Sequence, residues 1–196
     1  MLIHRIITII VLVLATAVAA SGEEAKRRHT VIATNYSLAT PLGATRTFTA
    51  KGSAQGLGAD VIWGGNRFRL GVGISWQIFR EERQAPGTPS GAQFESRTTS
   101  LVPVMASGTY LLGGETLRPY VGGGVGGMMS HRKLDAQAEE TTDTTWYVSV
   151  SGYAGALFAL TPGFGVDTRL CYVGGFKSDV EPIGMVQWTL GIVYIY

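Results

Sequence analysis

Ser130 and His131 stand side by side, a hydroxyl next to an imidazole. These are the residue types of a nucleophile and its general base. Neighbouring residues of an extended chain project to opposite sides, so the pair lacks the spacing that would set both groups on one strand face. No orienting carboxylate can be assigned as a third member. Gly122, Gly124 and Gly127 match G-x-G-x-x-G, the spacing of a dinucleotide-binding turn. That site needs a helix directly afterwards, and here the glycines sit inside a strand pattern. They read instead as inward glycines that relieve crowding. Glu139, Glu140 and Asp143 form an acidic patch that a divalent ion could touch, and it reads as solvated charge. The remaining His, Cys, Asp and Glu residues lack metal-ligand spacing. Asn35-Tyr36-Ser37 matches a glycosylation acceptor but falls inside a strand pattern. No catalytic, cofactor-binding or metal-binding residue is therefore assigned, and no cofactor is expected.

A second set of charges is more informative. Asp60, Arg67, Arg69, Arg118, Asp167 and Arg169 alternate with large apolar residues and share their faces with many glycines. Around Arg69 the alternation is cleanest. Phe68, Leu70, Val72, Ile74, Trp76 and Ile78 point one way; Arg67, Arg69, Gly71, Gly73, Ser75 and Gln77 point the other. A period of two belongs to a strand with one apolar face. The chain ends on the same pattern, with Trp188, Leu190, Ile192, Tyr194 and Tyr196 on one face. Left as a sheet edge, such a strand invites aggregation. It is expected to pair with the first strand and close the sheet.

Eight strands are read, over residues 30–39, 56–63, 67–79, 97–112, 117–129, 144–160 and 164–173, with the last after residue 182. Short connections follow the second, fourth and sixth. Gly65-Asn66 and Gly114-Glu115 read as two-residue hairpins and Thr161-Pro162-Gly163 as a three-residue turn. Long polar connections (41–54, 80–93, 131–143 and 174–182) follow the others. Short turns at one end and long loops at the other are the pattern of a bacterial outer-membrane barrel, with both termini periplasmic. A soluble lipocalin-like barrel would instead turn its apolar face inward. The charges decide, because an eight-stranded barrel has an interior just wide enough for side chains. Asp and Arg pair there among glycines, with Arg69 diagonal to Asp60 across the first turn. Removing one partner of a buried ion pair costs about 3–5 kcal/mol, so the six charges are expected as a network that plugs the barrel. The outward aromatics form two belts, as at two bilayer interfaces. Trp63, Phe68, Tyr110, Phe164 and Tyr196 lie by the turns; Tyr36, Trp76, Trp146 and Tyr172 lie toward the loops.

The 196 residues suit one domain, and a net charge of +2 without a basic block points away from nucleic acid. His4 and Arg5, the apolar run 6–15 and Ala17-Val18-Ala19 read as a secretory signal peptide over residues 1–20. Residues 21–29 follow as a short periplasmic segment, and 30–196 are the barrel domain. Cys171 is the one cysteine, so there is no intrachain disulfide. No later stretch approaches the roughly 20 apolar residues of a membrane helix.

Pro41-Leu42-Gly43, Leu101-Val102-Pro103-Val104-Met105-Ala106, the run from Arg118-Pro119-Tyr120-Val121 to Gly126, and the aromatic C-terminal strand together resemble the small outer-membrane β-barrel domain family. That family shares the architecture of the OmpA transmembrane domain and OmpX. The resemblance implies an all-β fold: a closed eight-stranded antiparallel up-and-down transmembrane barrel. It implies a monomer in the outer membrane, in contact with lipid and lipopolysaccharide. The strand from Trp188 to Tyr196 looks like the signal read by the outer-membrane assembly machinery, with Tyr196 where Phe or Trp is more usual. Recognition is then expected in the outer loops, above all 80–93 and 131–143. Some similar barrels modify lipid A with Ser and His at the membrane face. A lipid-A-modifying hydrolase using His131 therefore stands beside the non-enzymatic surface role, and a small-solute channel is the third reading.

Overall fold

The structure, a computed structural model, describes residues 29–84, 94–114, 116–136 and 139–195. The expected signal peptide, residues 21–28, residues 85–93 of the second long connection and Tyr196 lie outside the described residues. Eight antiparallel strands form one closed barrel in chain order: β1 (His29–Gly43), β2 (Ser53–Gly64), β3 (Phe68–Gln84), β4 (Phe94–Leu111), β5 (Leu117–Ala136), β6 (Glu139–Thr161), β7 (Phe164–Lys177) and β8 (Val180–Ile195). β8 closes on β1 from Val31 opposite Ile195 to Gly43 opposite Ile183. One ladder row runs Ile32, Val61, Val72, Ala106, Val125, Val150, Gly174, Gly184 and returns to β1 at Leu42, ten residues from its start. At ~3.3 Å per residue and ~4.8 Å between strands, that stagger tilts the strands by about 40°.

The apolar face points out. Leu57 is 64% exposed and Val148 62%, whereas Gln77 is 1% and Arg69 3%. An exposed apolar wall around an interior that buries charges and amides is the inverse of a water-soluble barrel.

Several expected connections are strand instead. β3 runs on to Gln84 and β4 starts at Phe94; β5 and β6 stay paired as far as Ala136 opposite Glu139. The segments 80–93 and 131–143 were expected as loops because they are polar. A ladder needs only backbone groups, and threonines such as Thr98, Thr99, Thr141 and Thr142 fit a pleated surface well. The connection 174–182 shrinks to a tight turn, with Lys177 opposite Val180 and Asp179 in the left-handed region at φ 62°. Connection 41–54 keeps its place but is not all loop. β1 reaches Gly43, and a short helix, α1 (Ala44–Phe48), follows. Gly43 has φ 57° and lies so close to the Pro182 carbonyl that a side chain there would collide with it. Glycine is what lets the chain turn inward at that point.

The first turn closes on Asn66-Arg67, not Gly65-Asn66. Gly65 donates to the Phe68 carbonyl at 3.0 Å, and Trp63 lies opposite Leu70. The facing is unchanged because the shift is two residues. Leu111 opposite Tyr120 shows the same two-residue shift at the second turn. At the third, Thr161 pairs with Phe164 and a bulge after Ala159 absorbs the odd residue. β3 and β4 lose their pairing beside Pro103, which has no N–H to give.

Candidate functional site

The interior is layered. Nearest the turns is an apolar cluster of Val31, Ala33, Leu111, Leu157 and Val193, with Tyr120. A polar layer crosses the middle. Beyond it a second apolar cluster includes Phe79, Leu101, Met128, Tyr147, Ile183 and Met185. α1 sits across the loop end, with Ala44 and Thr45 buried.

Arg169 anchors the middle layer. Its Nη2 donates to Asp60 Oδ2 at 2.9 Å, joining β7 to β2 across the barrel. Asn35 Nδ2 donates to the same oxygen at 3.0 Å. The Tyr120 hydroxyl donates to Asp167 at 2.6 Å. The guanidinium of Arg169 stacks 5.4 Å from the Tyr153 ring centroid, and Tyr153 bonds Thr109 at 2.7 Å and the Gly108 carbonyl at 3.1 Å. The glycines make the room. A side chain at Gly73 would collide with Asp60, one at Gly122 with Tyr153, and one at Gly155 would lie 2.6 Å from the Tyr120 ring. Two cavities of about 50 and 40 Å³ flank the layer, and Asp60, Tyr153 and Arg169 line both. These three side chains therefore form the septum between them. Arg169 Nε and Gln187 Oε1 are buried without a protein partner and border the larger cavity. A space of that size with polar groups in its wall accommodates water, which needs only about 10–15 Å³.

The six expected charges separate. Asp60, Asp167 and Arg169 meet in the middle layer. Arg69 is buried, but its Nε donates to the Gly65 carbonyl at 3.4 Å, and Arg118 lies within electrostatic reach of it. The expected Arg69–Asp60 pair is replaced by Arg169–Asp60. The two-residue shift of the first turn puts Gly73, not Gly71, opposite Asp60 and carries Arg69 about 7 Å away along the strand. Arg67 is exposed in the turn and has left the interior, for the same reason. Sequence reasoning passed over Asn35, Thr109, Tyr120 and Tyr153. Their signal was visible, since each occupies an inward alternate position, and Tyr120 stands two residues from Arg118.

Ser130 and His131 are consecutive in β5 and face opposite ways. Ser130 is 2% exposed inside the barrel, while His131 bonds Thr144 at 2.9 Å on the outer face. They cannot act on one bond. Gly122 and Gly124 face inward and Gly127 outward, mid-strand. Asp143 is exposed and accepts from Thr145 at 3.3 Å.

At the loop end, Arg97 and Arg132 both lie 5.5 Å from the centroid of the Phe48 ring. Glu95 bonds Arg97, and the Ala50 amide donates to Glu81 at 2.6 Å. Thr49 and Thr99 are fully buried and share a bond of 2.9 Å. Outside, Trp63, Phe68, Tyr110 and Phe164 are exposed near the turns, and Trp76, Trp146 and Tyr172 are exposed further along. Trp188, Leu190, Ile192 and Tyr194 are likewise exposed on β8.

An apolar exterior and a closed ladder are what a lipid-embedded sheet requires. The model of the outer membrane protein beta-barrel domain matches residues 6–195. The chain belongs to that family. Among solved structures it is similar to Ail, the attachment invasion locus protein of Yersinia pestis, in complex with the heparin analogue sucrose octasulfate. The identity is 18%, covering 87% of this chain and 99% of Ail, with a TM-score of 0.55. It is also similar to Neisserial surface protein A, at 13% identity, 85% and 96% coverage and a TM-score of 0.53. At these identities the likeness is one of fold. No curated protein matches the sequence.

Proposed function

We propose that this outer-membrane family member is a non-enzymatic integral membrane protein whose barrel is an anchor and whose interactions are made at the loop end. The observation that carries this reading is the closed interior. The Asp60–Arg169 bridge with Tyr153 separates the two cavities, and an apolar cluster under α1 stops the upper one. The opposed facing of Ser130 and His131 argues against hydrolysis there. The two aromatic belts mark the bilayer interfaces. The C-terminal sequence pattern of Trp188, Leu190, Ile192, Tyr194 and Tyr196 is the signal read by the assembly machinery. Residues 1–20 direct export, and the mature protein is a monomer amid lipid and lipopolysaccharide.

The test is electrophoresis of outer-membrane fractions in mild detergent, boiled against unboiled. A boiling-dependent shift in that fraction is expected. A soluble periplasmic protein without a shift contradicts the reading. Lipid A from the same cells should keep its acyl chains. Loss of a chain that His131→Ala abolishes would favour the hydrolase.

A further inference from the structure

We propose that the open edge of β6, where it outruns β7 at the loop end, docks an extended basic segment of a soluble protein, which adds to the sheet as a further strand. This deepens the reading of the loop end as the interacting surface and rests on it. β6 is paired with β5 without a bulge from Leu117 opposite Phe158 to Ala136 opposite Glu139. On its other side the ladder with β7 begins only at Val148 opposite Phe176. The β7–β8 hairpin has by then turned back, with Lys177 opposite Val180. Residues 139–147 are therefore paired on one side and open on the other, over about 30 Å at ~3.3 Å per residue. Among the described residues, no backbone bond outside the ladders reaches them. Every second residue of that run directs an N–H and a C=O away from the sheet, which is the template an added strand pairs with.

The same sheet has a second edge, and it is treated differently. β3 outruns β2 beyond Ile78 opposite Gln55. There the connection after α1 lies alongside it: Ser53 donates to the Ile78 carbonyl, and the Ala50 amide donates to Glu81 at 2.6 Å. Native edges are blunted by lysine, proline, a bulge or a cover. From Thr141 to Tyr147, β6 carries no lysine, proline or bulge, and no described residue pairs with its far side. Thr141, Thr142 and Thr144 are exposed there, and threonine suits a pleated strand. Asp143, also exposed, is the one charged residue in 141–147. A lysine or arginine across from it is attracted and an acid repelled, so the added strand is basic. A second upright copy of this chain cannot supply that strand. From Val148 onward the same side of β6 is taken by β7, and a strand continuing down into its own barrel would collide with it. The added strand therefore ends at that level, spans at most the nine residues 139–147, and arrives from the aqueous side. Main-chain bonds hold it and its basic side chains select it.

The test uses the full-length protein folded in zwitterionic detergent micelles, with folding checked by the boiling-dependent shift. The probe is the fluorescein-labelled peptide Lys-Thr-Val-Lys-Val-Thr-Lys, titrated by fluorescence anisotropy. Saturable one-to-one binding is expected, with slowed hydrogen exchange at alternate amides within 139–147. The same peptide N-methylated at all its interior residues keeps its charge but loses its donors, and it should not bind. Asp143→Lys reverses the charge across from the peptide and should weaken binding roughly 10-fold. Glu82→Gln, exposed on β3 at the covered edge, should leave it unchanged. The proposal is overturned if folded wild type does not bind the peptide, if the methylated peptide binds as well, if protection falls outside 139–147, or if Glu82→Gln weakens binding as much as Asp143→Lys. None of these results touches the boiling-dependent shift, so the docking edge can fail while the anchor reading stands.

Discussion

Arg169 and Arg132 are both inward-facing arginines, both stacked on an aromatic ring, and they are held in opposite ways. Arg169 lies mid-barrel, where β2 supplies Asp60 and Asp167 is two residues away on its own strand; charge meets charge between rigid strands. Arg132 lies where α1 has folded over the mouth; it stacks on Phe48, and the one residue opposite it on β6 is Asp143, whose carboxylate bonds Thr145. The middle layer is closed by residues whose positions the ladder fixes. The loop end is covered by a connection that brings an aromatic ring but no carboxylate for Arg132. The middle layer is tied by an ion pair between two strands, and the loop end by guanidinium contacts with one aromatic ring.

The largest effect should come from breaking the satisfied side. Arg169→Met strands Asp60 and should cost about 3–5 kcal/mol in urea unfolding from lipid vesicles. Adding Asp60→Leu should restore most of that loss, because the charge left behind has gone. A double variant as unstable as the single would mean that the pair is not the unit. Phe79→Ala in the apolar layer should lose a similar 3–5 kcal/mol, but by leaving a cavity, with no second substitution that repairs it. Tyr120→Phe removes one bond to Asp167 and should cost about 1–3 kcal/mol in the same assay. Arg132→Gln loses only its contact with Phe48 and should stay within about 1 kcal/mol of wild type. A large loss there would erase the contrast between the two arginines. Arg67→Gln, exposed in the first turn, should change stability by no more than about 0.5 kcal/mol.

The architecture was legible because alternation carries facing directly, and facing survives small errors. Eight strands, the outward apolar face and the closure of β8 on β1 all follow from period-two runs such as Phe68 to Ile78. Register was not legible to the same degree. Gly65-Asn66 and Asn66-Arg67 are both good turn pairs, and choosing between them moved Arg69 away from Asp60 and Arg67 out of the barrel. The partner of Asp60 was out of reach of local reading altogether, because Arg169 lies 109 residues away and meets it only through barrel closure. Polarity misled at the loop end. Thr141, Thr142 and Lys133 look like loop residues, yet their backbones pair as strand. The short helix Ala44–Phe48 has too few residues to show a period, so Phe48 could not be placed beside Arg97 and Arg132.

If the middle layer plugs the barrel as proposed, the protein is an anchor and not a pore. The direct measurement is current across a planar bilayer containing the purified, folded wild-type protein. The account predicts a silent membrane. Steady stepwise conductance that Arg69→Ala raises would contradict it, because ions would then be passing the septum of Asp60, Tyr153 and Arg169.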